Sequence, residues 1–386
     1  PISLSGSYGE LRSTHFHAGV DFRIGGTSGA PLYAAADGYI SRVTVSPVGF
    51  GHAIFIDHPD GNTTIYGHMM DFAPEIAEWV REQQYQRESF SINLVPPKEM
   101  FPIGRGEFIG RAGNTGSSGG PHLHFEIRDS ESQLALNPLK IANFSVEDNI
   151  PPQFQQVDFY SIKSSDNVAQ RELLASFQHI HSGVVAVTDT FYIAVAAIDR
   201  QNNTGAKLGV YHYNYYLNDS LIFSFTPENI APGMGGYINS VVEYSRKATS
   251  NLSMIKSWVE PGCAIQSNIH ATNNGLFIVD NDNINIVKVE LIDEHDNRSV
   301  REFRVQRSEG TTHPPQEIEE GYVEKGYIMP WFIPNRYSSS TVRALLPAGA
   351  LYSSIDFVAD TLSIDGRLYH AIHNESTPVH NSFLLS

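Results

Sequence analysis

The sequence predicts a mainly β protein built from more than one domain, and three observations carry that expectation. Short alternating or β-branched runs, separated by Gly, Pro and Asn/Asp turns, recur along most of the chain. A helical period stands out in only one stretch of the first third, Pro74 to about Gln86. The length of 386 residues exceeds what one hydrophobic core usually serves, so two or three domains are expected. Apolar residues at 41% and aromatic residues at 11% suffice to pack that many cores.

Residues 1–148 read as antiparallel β-sheet, with strands near Ala30 to Ala36 and Ala53 to Asp57 and a turn at Asp60-Gly61. The Pro74 to Gln86 helix places Ile76, Trp79 and Val80 on one face and Glu75, Glu78, Arg81 and Glu82 on the rest. Val95-Pro96-Pro97 then returns the chain to extended backbone. Asp148-Asn149 followed by Pro151-Pro152 reads as a linker. Over 149–308, short strands such as Phe191 to Asp199, Gly209 to Leu217, Leu276 to Asp280 and Ile284 to Asp293 predict an immunoglobulin-like β-sandwich. Two Asp/Asn-rich turns, Asp199 to Asn203 and Asp293 to Asn297, each follow a strand and resemble one another, too few for a repeat. An acidic, Pro-containing stretch from Ser308 to Glu320 leads into a further β-rich segment, 309–386, which could be an incomplete third domain.

Charge and composition exclude several classes. A formal charge of −16 disfavours nucleic acid and anionic membrane surfaces, which reward clustered Lys and Arg. The longest apolar run, Phe191 to Ile198, is far short of a membrane span. One cysteine, Cys263, rules out an internal disulfide framework and a thiolate metal cluster, and reads as a buried structural thiol. Any transition metal must therefore be held by His and carboxylates. The chain starts at Pro1 without a signal-like segment, so the expectation is that an export signal has been removed.

Three motifs occur in order: His17-Ala18-Gly19-Val20-Asp21, Tyr66-Gly67-His68, and Gly120-Pro121-His122-Leu123-His124-Phe125-Glu126. On a strand, His122 and His124 share a face. His17 and Asp21 are four apart, so on extended backbone they share one too, and Gly19 argues against a helix there. Two imidazoles and one carboxylate make three protein ligands, the pattern of a catalytic zinc ion that keeps a position open. Which of His122 and His124 would bind metal, spacing alone leaves undecided. The remaining imidazole and His68, at the end of an alternating Thr64, Tyr66, His68 face, are candidates for proton transfer and oxyanion stabilisation.

These motifs, with Ala34 to Gly38, Gly49-Phe50-Gly51-His52, Ile109 to Gly116 and Ser118 to Arg128, resemble the lysostaphin-like or LytM-type zinc metallopeptidases, which cut peptide bonds of bacterial peptidoglycan. The resemblance runs from about Gly9 to Pro138, in order and spacing. It implies His17, Asp21 and His124 as Zn²⁺ ligands and His68 and His122 as the catalytic pair. It further implies peptidoglycan peptides as substrate and an envelope location, periplasmic or extracellular. A stretch at about 71–102 is longer than compact members carry and is expected beside the cleft. The alternative function is a non-catalytic LytM-type domain that binds or activates another wall hydrolase; a third is adhesion through the sandwich.

Other signals are weighed as structural. His179/His181 and His370/His373 have metal-like spacing without companion motifs and read as ordinary strand or surface histidines. His15 reads as a cleft wall or solvated residue, and His52 and His58 as structural hydrogen-bonding groups. Glu126 could orient a ligand imidazole or form a salt bridge. The Gly113 to Gly120 loop has no Gly-Lys-Ser/Thr ending, so a tight turn is preferred to a phosphate site.

Overall fold

Strand alternation sets the frame of the molecule. The computed structural model describes residues 2–142, 144–165, 168–280, 282–308, 326–365 and 367–386. In the first part the strands are β1 (Leu4–Gly6), β2 (Val20–Arg23), β3 (Pro31–Tyr33), β4 (Gly38–Val45), β5 (His52–Asp57) and β6 (Asn62–Phe72), followed by helix α1 (Pro74–Gln86). Next come β7 (Ile92–Leu94), β8 (Pro102–Ile103), β9 (Phe108–Ala112), β10 (His122–Asp129), β11 (Ala135–Leu136) and the short α2 (Pro138–Ile141). These strands form one antiparallel sheet whose main path is β1-β2-β10-β6-β5-β4-β7. Along β10, Phe125 and Ile127 enter the core under the sheet while His122, His124 and Glu126 occupy the opposite face. Helix α1 starts with Pro74 at its first position and buries Ile76 and Val80, with Trp79 edge-on to Phe101 at 5.4 Å.

The strand after α1 answers where the 71–102 stretch goes. β7 adds to β4 at the sheet edge. Three strands, β4, β5 and β6, separate it from β10, and none of residues 71–102 lines the cleft described below. The expectation that this stretch flanks the cleft is corrected: it completes an edge and caps the core.

The second part contains β12 (Gln153–Ser165), β13 (Val168–Phe177), β14 (Val184–Val187), β15 (Thr190–Ile198), β16 (His212–Leu217) and β17 (Ser220–Phe225). Helices α3 (Ile238–Val241) and α4 (Tyr244–Ser250) precede β18 (Ile255–Lys256), β19 (Ile269–Ala271), β20 (Phe277–Ile278), β21 (Asn285–Ile292) and β22 (Arg298–Arg307). One sheet is ordered β13-β12-β15-β18, with β20 also on β15, and the other β14-β22-β21-β16-β17-β19. Val157, Phe159, Phe191 and Ile193 of the first meet Tyr215, Phe223, Val289 and Phe303 of the second in one core. Cys263 is buried there, with the Ser240 hydroxyl 3.2 Å from its sulfur, as a structural thiol would be. The acidic, Pro-containing stretch from Ser308 to Glu320 lies, beyond Ser308, outside the described residues. From Tyr327 onward small two- and three-stranded sheets surround a core of Met329, Ala344, Leu346 and Phe357.

The first two cores interlock. Phe16 is buried in the two-sheet core, 6.0 Å from Phe225, whereas Leu208 and Tyr211 are buried in the core under the first sheet. The Tyr8 hydroxyl donates to the Ala135 carbonyl at 2.6 Å and accepts from the Ile230 N–H at 3.3 Å.

β2 approaches β10 closely because position 19 has no side chain. A Cβ there would lie 2.3 Å from the Phe125 carbonyl oxygen. Gly19→Ala is therefore expected to cost about 1–3 kcal/mol, read as a lower denaturant midpoint. Gly119→Ala, whose added carbon meets nothing within 4 Å, should leave the midpoint where it is.

Candidate metal centre

Antiparallel register brings the first and last motifs together. Asp21 on β2 lies directly across from His124 on β10, and Gly67 on β6 faces His124 from the other side. His17, on the extended segment before β2, reaches the same point: its Nε2 is 3.0 Å from Asp21 Oδ1 and 3.0 Å from His124 Nδ1. His124 Nδ1 is 2.9 Å from Asp21 Oδ1, closing a triangle of three buried ligand atoms. His122 Nε2 stands further off, 3.4 Å from Asp21 Oδ1.

His68 arrives by a different route from the one its spacing suggests. Tyr66 and Met69, three apart, both face the core, so β6 carries one extra residue against β5 between them. Simple alternation would put His68 on the Tyr66 side. Its φ of 57° turns it instead to the opposite side, with its ring centroid 4.8 Å from His122 and 5.7 Å from His124. The expected Thr64, Tyr66, His68 face is thus corrected by a bulge. A β-bulge residue with positive φ is a strained arrangement for a non-glycine side chain, of the kind that concentrates at functional sites.

The outer nitrogens determine the tautomers. His17 Nδ1 is 2.7 Å from the Ser7 carbonyl oxygen, His68 Nδ1 2.8 Å from that of Thr115, and His122 Nδ1 2.8 Å from that of Gly120. His124 Nε2 is 2.9 Å from Glu126 Oε1. Carbonyls and carboxylates only accept, so each imidazole donates outward and, when neutral, turns a bare nitrogen inward. Glu126, for which orientation and salt-bridging were alternatives, does both: its Oε2 is 2.6 Å from the Arg128 guanidinium. Arg12 holds the other oxygen of Asp21 at 2.8 Å.

Ionisation follows this wiring. Burial acts to raise the Asp21 carboxyl, but the bonds and charges of His17, His122 and His124 hold it far below the usual carboxylate range. Burial alone would lower His124; its bonds to Asp21 and Glu126 prevail and push it up to about 9. His68 is lowered to about 4 by burial and by the charge of His124. Burial likewise lowers His17, against the pull of Asp21.

The donor set suits zinc. Two imidazole nitrogens and a carboxylate oxygen lie at mutual distances of 2.9 to 3.0 Å, so a spread of only about 0.4 Å would place them at three corners of a tetrahedron around an ion with bonds of about 2.0–2.1 Å. The open side faces a cleft of about 650 Å³, walled by Arg12 to His15, Gly49-Phe50 and Ser117 to Gly119. His15 is an exposed part of this wall rather than a member of the cluster. His58 bonds the Asp37 carbonyl and Thr64 hydroxyl, both at 2.8 Å, and His52 packs on Phe72, as structural histidines. Among the described residues, His179, His181, His370 and His373 join no metal-like group.

A histidine-rich cleft on an antiparallel sheet is the class defined so far. Residues 15–85, which include His17, Asp21 and His68, match the family model described as Peptidase family M23, so this stretch belongs to an M23 domain. It is 31% identical over 132 residues to the "DD-carboxypeptidase/endopeptidase Mpg" of Neisseria meningitidis serogroup B, covering 34% of this chain and 24% of that protein. It is 30% identical over 125 residues to an "Uncharacterized metalloprotease" of Haemophilus influenzae, covering 32% and 21% respectively. The chain thus spans about a quarter of the length of the curated relatives it matches. Among solved structures it is similar to the catalytic domain of lysostaphin from Staphylococcus simulans, with 23% identity, a TM-score of 0.28, and coverage of 37% of this chain and 93% of that one.

Because its bonds to Asp21 and Glu126 push His124 up to about 9, a cation binding there at neutral pH would have to displace a proton. Zinc titration at neutral pH should therefore release close to one proton, and apparent affinity should rise roughly tenfold per pH unit up to about pH 9. Calorimetry in buffers of different ionisation enthalpy measures the release. Binding that is flat between about pH 6.5 and 8.5 would contradict this wiring.

Proposed function

We propose that the chain is a zinc-dependent endopeptidase that hydrolyses peptide cross-links of bacterial peptidoglycan. The observation that carries the reading is the convergence of His17, Asp21, His124, His68 and His122 on one cleft, with the outer nitrogen of every imidazole tethered to an acceptor. In this reading His17, Asp21 and His124 hold Zn²⁺, and His68 and His122 act on the substrate. The catalytic unit is 1–148, residues 149–308 are accessory, and 309–386 extend them. An envelope location, periplasmic or extracellular, follows from the substrate. Among the described residues no helix is long and apolar enough to cross a membrane.

A bound zinc ion supplies polarisation of the scissile carbonyl and an acidified water with a pKa near 7. The side chains do the rest. His68, lowered to about 4, is neutral in the working range, so its Nε2 can accept a proton. His122 offers its own Nε2 from the same side of the cleft, with Nδ1 held by Gly120. One of the pair takes the proton of the attacking water at Nε2, and both face the developing oxyanion, where a protonated imidazole is a donor. The same Nε2 proton can then pass to the leaving amine. Arg12 holds Asp21 in place.

The full set of five side chains supports hydrolysis over the non-catalytic, partner-activating alternative, which has no chemical use for His68 and His122. His122→Ala should retain about one zinc per chain and lower hydrolysis of defined muropeptides by about 10²–10⁴-fold. His124→Ala should lose both zinc and activity. Metal analysis and mass spectrometry of the digests provide the two readouts. Zinc-loaded wild type that leaves all muropeptides intact would transfer the assignment to the non-catalytic alternative.

A further inference from the structure

The two look-alike turns of the second part meet at the junction with the first. Asp199 follows β15, Asp293 follows β21, and Asp148 lies on the linker before β12. One carboxylate oxygen from each lies within 4.8 Å of the others, although the residues come from three separate segments. Asp148 has a side chain 3% exposed, Asp199 is 1% exposed and Asp293 2%. Among the described residues the nearest cationic partner is the His295 imidazole, 3.9 Å from Asp148.

Three buried carboxylates with so little compensation need an explanation. Some of the oxygens have one: Asp293 Oδ1 accepts from the His295 and Asn297 N–H groups at 2.8 and 2.9 Å, and Asp148 Oδ1 from the Ile150 N–H at 3.0 Å. Asp199 Oδ1 has no hydrogen-bond partner at all, in a residue 99% buried within the cluster. Neighbouring Glu294 also has a buried Oε1 without a partner. Burial and the charges of Asp293, Glu294 and Asp148 push Asp199 up to about 9, the mark of an uncompensated acidic site.

We propose that Asp148, Asp199 and Asp293 bind one calcium ion at the junction between the M23 domain and the two-sheet unit. The donors are all hard oxygens, without the imidazole nitrogens of the zinc cleft. A Ca²⁺ with bonds of about 2.4 Å spans up to about 4.8 Å between opposite ligands, and it tolerates irregular geometry where Mg²⁺ demands an octahedron. The ion ties the linker to both strand ends. It also steadies the Asp199 to Asn203 turn, from which Gln201 accepts from the Leu4 N–H at 2.8 Å and donates to the Ile2 carbonyl at 2.6 Å. Leu4 belongs to β1, which pairs with the Asp21-bearing β2. The calcium site is structural and independent of whether the zinc cleft is active.

The test uses the full chain saturated with zinc, so that the histidine cleft is filled, and titrates Ca²⁺ by calorimetry alongside thermal melting. One saturable site with a dissociation constant of about 10⁻⁴ M is expected. At about 100-fold excess over that constant, the melting temperature should rise by about 5 °C, with equal Mg²⁺ giving little change. Asp199→Asn removes the carboxylate that the ion needs without breaking a bond to Oδ1. It should abolish both the calcium heat and the calcium shift while melting, without calcium, at or above the wild-type temperature. No saturable calcium binding, undiminished binding in Asp199→Asn, or an equal response to Mg²⁺ would each overturn the proposal.

Discussion

A single buried carboxylate organises the cleft. Asp21 Oδ1 meets three imidazole nitrogens within 3.4 Å, and its other oxygen meets the Arg12 guanidinium. A carboxylate removed from water without such partners would cost several kcal/mol. With them it becomes the fixed negative pole toward which the histidines point their inner nitrogens. The outer shell makes this possible, because the Ser7, Thr115 and Gly120 carbonyls and Glu126 each take an imidazole proton on the far side. Without that outward tethering the rings could turn, and the inner nitrogens would no longer converge on Asp21.

The backbone supplies the geometry at different levels of regularity. Asp21, His122 and His124 are held by plain antiparallel register, the most robust means of fixing side chains on one face. His68 is held by a bulge and a positive φ, a conformation that persists only when its surroundings dictate it. Its N–H bonds the Phe50 carbonyl at 2.8 Å and its ring bonds Thr115, so two loops that wall the cleft also hold the strained residue. Ring position and cleft shape are therefore coupled.

The wall on the other side depends on the two-sheet unit. Phe16, one residue before His17, is buried in that unit's core, and Lys247 on α4 bonds the Ser13 carbonyl at 2.7 Å. The Arg12 to His17 segment is thus anchored from outside the sheet that carries the remaining site residues. The second unit thus contributes to the cleft by fixing one rim.

Much of this was readable from residue order. The β-rich class, the α1 helix with its Ile76 and Val80 face, and the sharing of a face by His122 and His124 all follow from periodicity, because alternation and helical repeat act locally. The resemblance carried in the three motifs pointed to five residues that meet at one cleft. What only tertiary structure decided was non-local: that an extra residue in β6 turns His68 away from Tyr66, that β7 takes the 71–102 stretch to the far edge, and that Glu126 serves His124 and Arg128 together. The junction carboxylates belong here too, since Asp148, Asp199 and Asp293 are distant in sequence and meet only when two sheets and a linker pack. Local spacing determines which face a side chain takes, whereas register shifts and packing between units determine what that face meets.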